Sequence, residues 1–236
     1  MTWAPQLEAV GRIASSEERI AQYTRLLEHA LHDTPSASLP SLVRTYVDGA
    51  VLDPVNTTGA GLLVGRHMLA HLATQLAAAH IPANILCTIV SDTLATCEAS
   101  SIMGDDELGP WRVLLAEQYA SLSRWRDAAQ ALQSITPHAA RRIPQLSFAQ
   151  LCVRVVELWL HDLPSHVAEA EQAIKRANSA ILEERDNKAL VHELWSYHAR
   201  VLAIQHRFME AAARYMDLPH ADMYACLLYT SPSPRD

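Results

Sequence analysis

The stretch Asn187–Leu218, NKALVHELWSYHARVLAIQHRFMEAAARYMDL, decides the fold. Its first part carries apolar residues at Ala189, Leu190, Leu194, Trp195, Tyr197, Val201, Leu202 and Ile204. That is mostly helical spacing, and it makes one broad sticky face. After a polar break, Gln205-His206-Arg207, a second run places Phe208, Ala211, Ala212 and Tyr215 at i, i+3, i+4 and i+7. Two amphipathic helices joined by so short a connection fold back antiparallel. The small alanines allow close approach, and the aromatics fill the space between. The expectation is an αα-hairpin with Ala212 in its core.

The hairpin recurs. Trp125-Arg-Asp-Ala-Ala-Gln, Val167-Ala-Glu-Ala-Glu-Gln and Phe208-Met-Glu-Ala-Ala-Ala share one pattern: a large apolar residue, a variable one, an acid, then alanine. Their starts, at 125, 167 and 208, lie 42 and 41 residues apart, within the range of helical-hairpin repeats. Each copy sits at the start of a hairpin's second helix, where an acid in the first turn suits the helix dipole. The preceding segments, Trp111 to Leu122, Leu146 to Leu160 and Leu190 to Ile204, are apolar-periodic as well. A fixed period with matching core positions predicts an all-α, right-handed α-solenoid of antiparallel, tetratricopeptide-like hairpins.

Composition agrees. Half of the 236 residues are apolar, glycine occurs only 7 times, and no run alternates as a strand does. Formal charge is −7, and no basic tract appears, which argues against nucleic-acid binding. Lysine stands only at Lys175 and Lys188, a preference for arginine that reads as base-composition bias. Cys87, Cys97, Cys152 and Cys226 form neither CxxC pairs nor a framework, so reduced, mostly buried thiols in a cytoplasmic or nuclear protein are expected. Met1 to Ala14 lacks the pattern of a signal peptide, and no apolar run is long enough to span a bilayer.

Upstream of the repeats, Pro5 to Ala14 reads as a short helix, and Ser15-Ser16-Glu17-Glu18 as an N-cap with acids in the first turn of a helix over Glu17 to His32, with Ile20, Tyr23, Leu27, Ala30 and Leu31 inward. Thr34 to Pro40 reads as a loop, and Ser41 to Leu52 as a helix ended by Asp53-Pro54. Leu62 to Ala79 is apolar enough to be buried nearly all round, and Asn84 to Ser100 turns Ile85, Ile89, Val90 and Leu94 inward. Gly104 to Pro110 reads as a charged connector or short helix, and Thr136 to Pro144 and Asp162 to Pro164 as connectors between hairpins. The last residues, Cys226-Leu-Leu-Tyr-Thr-Ser-Pro-Ser-Pro-Arg-Asp236, match the in-frame translation of a sequencing-library adaptor. Residues 226–236 are therefore expected to be an artefactual tail, and the chain an N-terminal fragment whose native sequence stops near Ala225. The domain reading is 1–104 as an N-terminal helical-repeat arm and 105–225 as helical repeats.

No catalytic constellation emerges. His67 and His71 stand at i, i+4, as two zinc-binding imidazoles would, but the intervening Glu and a third ligand are missing. The other histidines are scattered. Glu183-Glu184 and Asp105-Asp106 are adjacent carboxylates, better suited to a solvated face than to acid–base work across a substrate. No GxSxG elbow is present, and Gly59-Ala60-Gly61 lacks the lysine of a phosphate loop. Trp125, Trp159, Trp195, Tyr119 and Tyr197 fall on repeat core positions and read as packing. Catalytic, cofactor-binding and metal residues are all expected to be absent: not an enzyme.

At the repeats the sequence resembles a known family. LLAEQYASLSRWRDAAQALQSI (Leu114 to Ile135) and YHARVLAIQHRFMEAAARYMDL (Tyr197 to Leu218) are similar to the helical-repeat region of subunit four of the COP-nine signalosome, in the PCI-domain scaffold family. VVELWLHDLPSHVAEAEQAIKRANSAI (Val155 to Ile181) fits the same region. The resemblance is strong over Trp111 to Leu218 and weak from Pro5 to Ser100. It implies a non-catalytic scaffold in a complex that removes a ubiquitin-like modifier from cullin–RING ubiquitin ligases. The implied partners are other signalosome subunits and the RING–cullin end of the ligase, in cytoplasm and nucleus, with no nucleic acid and no membrane. It also implies that the winged-helix half of the PCI domain is missing from this chain. Two other readings fit the repeats: the paralogous scaffold subunit of the proteasome regulatory lid, and a free-standing helical-repeat adaptor.

Overall fold

A computed structural model of the chain describes residues 3–216, apart from 164, 185 and the side chain of Ala60; the expected artefactual tail lies outside the described residues. Every described regular element is helical, which bears out the all-α solenoid fold. Contacts divide the chain into two compact units, 1–145 and 146–236. The division expected at 104/105 lies inside the first unit, between two helices that pack together.

The first unit contains α1 (Ala4–Gly11), α2 (Ser16–Asp33), α3 (Leu39–Tyr46), α4 (Pro54–Thr57), α5 (Leu62–Ala78), α6 (Ala83–Ser100), α7 (Asp105–Ser121), α8 (Trp125–Gln133) and α9 (Pro137–Ala140). Helix α2 packs on α5 and α3 on α6, while α7 packs on α5, α6 and α8. Consecutive pairs thus bury one another's apolar stripes, as stacked hairpins do. Tyr23, Leu27, Met68, Leu69, Leu72, Leu76 and Trp111 are wholly buried between them. The Ser15 hydroxyl accepts the Glu18 N–H at 3.4 Å, so within the expected capping stretch Ser15 is the N-cap of α2.

Three sequence expectations change here. Pro40 lies in the first turn of α3 rather than in a loop, a position where its missing N–H costs nothing. The helix expected to reach Leu52 widens into a π-turn over Val47–Val51. The buried Asn56 amide secures that turn by donating to the Ala50 carbonyl at 2.9 Å and to the Tyr23 hydroxyl at 3.3 Å. Gly65 lets α5 lie against it, since a Cβ there would stand 2.7 Å from the Val51 carbonyl oxygen and 2.8 Å from that of Asn56. Helix α5 is not buried all round: Leu63, His67, Ala70 and Thr74 form an exposed face, because α2 and α7 cover only part of its circumference.

The segment Gly104–Pro110, expected as a charged connector or short helix, is the N-cap and opening of the long helix α7, with Pro110 inside it. Asp105, Asp106 and Glu107 crowd its N-terminal turn, where the dipole favours anions. Glu107 accepts the Gly104 N–H at 3.0 Å and meets Arg66 at 3.1 Å. Between Thr136 and Pro144 the short α9 is N-capped by the Thr136 hydroxyl, and Ala139 and Ala140 are buried.

The second unit holds α10 (Phe148–Leu160), α11 (Val167–Ile181), α12 (Lys188–Ile204) and α13 (Phe208–Met216). Ser147 and Gln150 cap α10 reciprocally, side chain to backbone, at 3.1 and 2.8 Å. Each helix packs on the next, and α10 also reaches α12. Helix α11 carries a stripe of buried alanines, Ala170, Ala173 and Ala177, and packs on α10 and α12. All three repeat motifs, at Trp125, Val167 and Phe208, begin a hairpin's second helix, as the pattern predicts.

In α13 the predicted face is corrected. Only Ala211 is fully buried; Ala212 is exposed, Tyr215 half-buried, and Phe208 61 % exposed. The helix is apolar on most sides, so its periodicity cannot say which side meets α12, its principal neighbour.

Candidate functional site

The repeat motif carries more than core residues. In each copy the acid of the motif meets the basic residue just before the helix: Arg124 Nε donates to Asp127 at 2.7 Å and Arg207 Nε to Glu210 at 2.8 Å. In the middle copy a histidine takes that place, with His166 Nδ1 3.3 Å from Glu169 Oε1. The alanine after each acid, Ala128, Ala170 and Ala211, is buried at the helix seam. A base three residues ahead of each acid was visible in the sequence, yet the acid alone drew a role there, that of complementing the dipole.

Two of the reversals are built alike. In the α7–α8 turn the Arg124 N–H bonds to the Tyr119 carbonyl at 2.8 Å; in the α12–α13 turn the Arg207 N–H bonds to that of Leu202 at 2.9 Å. Ser123 and His206 hold positive φ, 58° and 61°, to make this Schellman-type closure.

The candidate chemical residues fall elsewhere. His67 is exposed, while His71 is half-buried with its Nε2 3.3 Å from the Gln75 amide. Among the described residues no group of three or more His, Cys, Asp or Glu side chains could hold a metal ion. Asp105-Asp106 is no freely solvated pair. Asp105 meets Arg112 at 3.1 Å, and Asp106 meets His138 at 2.7 Å and Arg142 at 3.6 Å. Arg112 also reaches Glu98 at 3.1 Å and the Ser134 carbonyl at 3.2 Å. These ties join α6, α7, α8 and α9 and suit a brace, since each carboxylate already has a cationic partner. Glu184 accepts from the Ser147 hydroxyl at 2.9 Å, and its neighbour Glu183 is exposed.

The thiols of Cys87, Cys97 and Cys152 are free and buried. Burial pushes Cys97 and Cys152 up to about 11, away from the reactive thiolate. Cys226 lies outside the described residues. Trp111 and Trp159 are core residues, whereas Trp125, Trp195, Tyr119 and Tyr197 are half-buried. The Arg124 guanidinium lies 4.4 Å from the Tyr119 ring centroid, a cation–π contact across the hairpin turn.

What the second unit offers instead is contact surface. Phe208, Met209 and Met216 on α13 are 61, 86 and 68 % exposed, with Ile204 at the adjoining turn. Large apolar side chains clustered at one surface are the material of protein–protein contacts.

No family model matches the chain. Curated relatives do. COP9 signalosome complex subunit 4 of Caenorhabditis elegans is 28 % identical over 95 % of this chain and 61 % of its own length. This chain is similar to COP9 signalosome subunit 4. The subunit 4 proteins of Drosophila melanogaster and Arabidopsis thaliana are each 25 % identical over 86 % of the chain and 48 % of their own length. The resemblance read from the repeats is thus borne out, and its coverage reaches well beyond Trp111 to Leu218. The chain spans about half to three fifths of the length of these subunit 4 relatives.

Proposed function

We propose that the chain acts as a non-catalytic scaffold in a COP9 signalosome, supporting through protein–protein contacts the removal of a ubiquitin-like modifier from cullin–RING ligases. The observation that carries this proposal is similarity to subunit 4 proteins of a nematode, an insect and a plant along 86–95 % of the chain. Helices that pack pair on pair, carboxylates tied into braces and thiols sealed in the core support it. Its partners would be other signalosome subunits and the RING–cullin end of the ligase, in cytoplasm and nucleus. Residues 1–104 would serve as the arm, and the repeats from 105 would lead towards a PCI domain.

The test is assembly. The tagged chain is mixed with a purified signalosome lacking subunit 4, and in parallel with a proteasome lid lacking its paralogous subunit. Co-elution with the signalosome alone is expected. Entry into the lid alone, or into neither complex, would overturn the proposal.

A further inference from the structure

An open pocket of about 500 Å³ lies where the start of α1, the C-terminal end of α2 and the first turns of α3 meet. Trp3 forms one wall, Asp33 and Thr34 another, and Ser38, Ser41 and Thr45 line a third. We propose that this pocket binds the guanidinium group of an arginine side chain presented by a partner protein.

The charge comes first. Among the described residues, Asp33 is the one ionisable residue lining the pocket, and no arginine, lysine or histidine lines it. Its carboxylate is held in place by His29 Nδ1 on Oδ2 and His32 Nδ1 on Oδ1, both at 3.1 Å. Each oxygen keeps further acceptor capacity for a ligand. The end of α2 at Asp33 and Thr34 adds the negative pole of an 18-residue helix.

The hydroxyls point the same way. Ser41 donates to the Ser38 carbonyl at 2.8 Å, and Thr45 to the Ser41 carbonyl at 2.9 Å. Their protons are committed to the backbone, so they offer a ligand lone pairs only. A site whose one charge is a carboxylate, beside two hydroxyls that can only accept, favours a ligand rich in donors, and guanidinium has five N–H donors and no acceptor.

The aromatic wall selects guanidinium over ammonium. The Trp3 indole is half-buried and set edge-to-face on His29, with centroids 6.0 Å apart and planes at 61°. A flat, weakly hydrated guanidinium stacks on an indole while its edge reaches acceptors to the side; a compact, strongly hydrated ammonium does so less well. This proposal does not rest on assembly into a signalosome.

The experiment titrates the full chain at pH 8 and low salt with acetyl-Gly-Arg-Gly-amide, with its citrulline counterpart, and with its lysine counterpart, by calorimetry. Citrulline keeps the shape and loses the charge. Saturable binding of the arginine peptide, about tenfold tighter than citrulline and tighter than lysine, is expected. Asp33→Asn and Trp3→Ala should each weaken it about tenfold, whereas Asp92→Asn on α6 should not. Equal affinity for the citrulline peptide, or no saturation by about 10 mM arginine peptide, would overturn the proposal whatever the variants do. Binding that survives Asp33→Asn unchanged would place the guanidinium elsewhere and overturn it equally.

Discussion

Replacing Ala170 with leucine tests whether the repeat alanines are where the hairpins close. Ala170 is wholly buried on α11, which packs on α10 and α12, whereas Ala168 on the same helix is exposed. Leucine adds three carbons. Were there room for them, their burial at about 0.8 kcal/mol per carbon would stabilise the chain by roughly 2 kcal/mol. A closed seam reverses the sign, because added methylenes displace neighbours at about 1–3 kcal/mol. The expectation is therefore destabilisation of about 2 kcal/mol at Ala170 and almost none for Ala168→Leu, as leucine is nearly as good a helix former as alanine. For a chain of this size that corresponds to a fall of roughly 4–8 °C in Tm. Thermal and urea unfolding followed by helical circular dichroism would measure it. An Ala170→Leu chain as stable as its parent, or more so, would refute the close-seam argument.

Gly65→Ala should destabilise the first unit by about 1–3 kcal/mol, because the new Cβ meets two backbone carbonyl oxygens that no rotamer change can move; a urea midpoint shift would show it, and an unchanged midpoint would contradict the packing of α5. Cys87, Cys97 and Cys152 should resist a thiol reagent at pH 8 in the native chain and react promptly in denaturant, as peptide mapping would report. His198 is held below its ordinary value of 6.5, first by desolvation and then by Arg214 and Arg207. The unfolded chain therefore binds this proton more readily, so stability should fall as pH drops below about 6.5. His198→Gln should flatten that part of the pH–stability profile, and a profile as steep as the parent's would remove His198 as its cause.

Much of the chain from α7 onwards was legible because its pattern repeats. Three motifs about one repeat length apart located the starts of α8, α11 and α13 to the residue; the expected starts of α10 and α12, Leu146 and Leu190, fall close to the observed Phe148 and Lys188, whereas α7 begins at Asp105 and not at Trp111. Legibility failed where a local signal had two meanings. Gly104 and Pro110 looked like loop punctuation, yet three acids at a helix N-terminus, tied to Arg66, Arg112 and Arg142, hold those residues in α7. Helix α5 looked surrounded because alanine and leucine dominate it, but small residues tolerate water, and one side faces it. In α13 the abundance of apolar residues hid the buried side: of Phe208, Ala211, Ala212 and Tyr215, all on the expected face, only Ala211 is fully buried. The Trp3–Asp33 pocket left no trace in the sequence, since its walls come from three elements without a shared spacing.

The two matching reversals carry an implication for length. From Tyr119 to Arg124 and from Leu202 to Arg207 the closing hydrogen bond spans the same number of residues, and the ion pair and buried alanine follow at fixed offsets. Adding or removing one residue there would turn the second helix by about 100° relative to the first, which carries its alanine off the seam. Substitutions in these turns are a matter of degree; insertions are a matter of phase. The α10–α11 connection, over residues 161–166, is longer than either of these turns and is where the chain can accept a change of length.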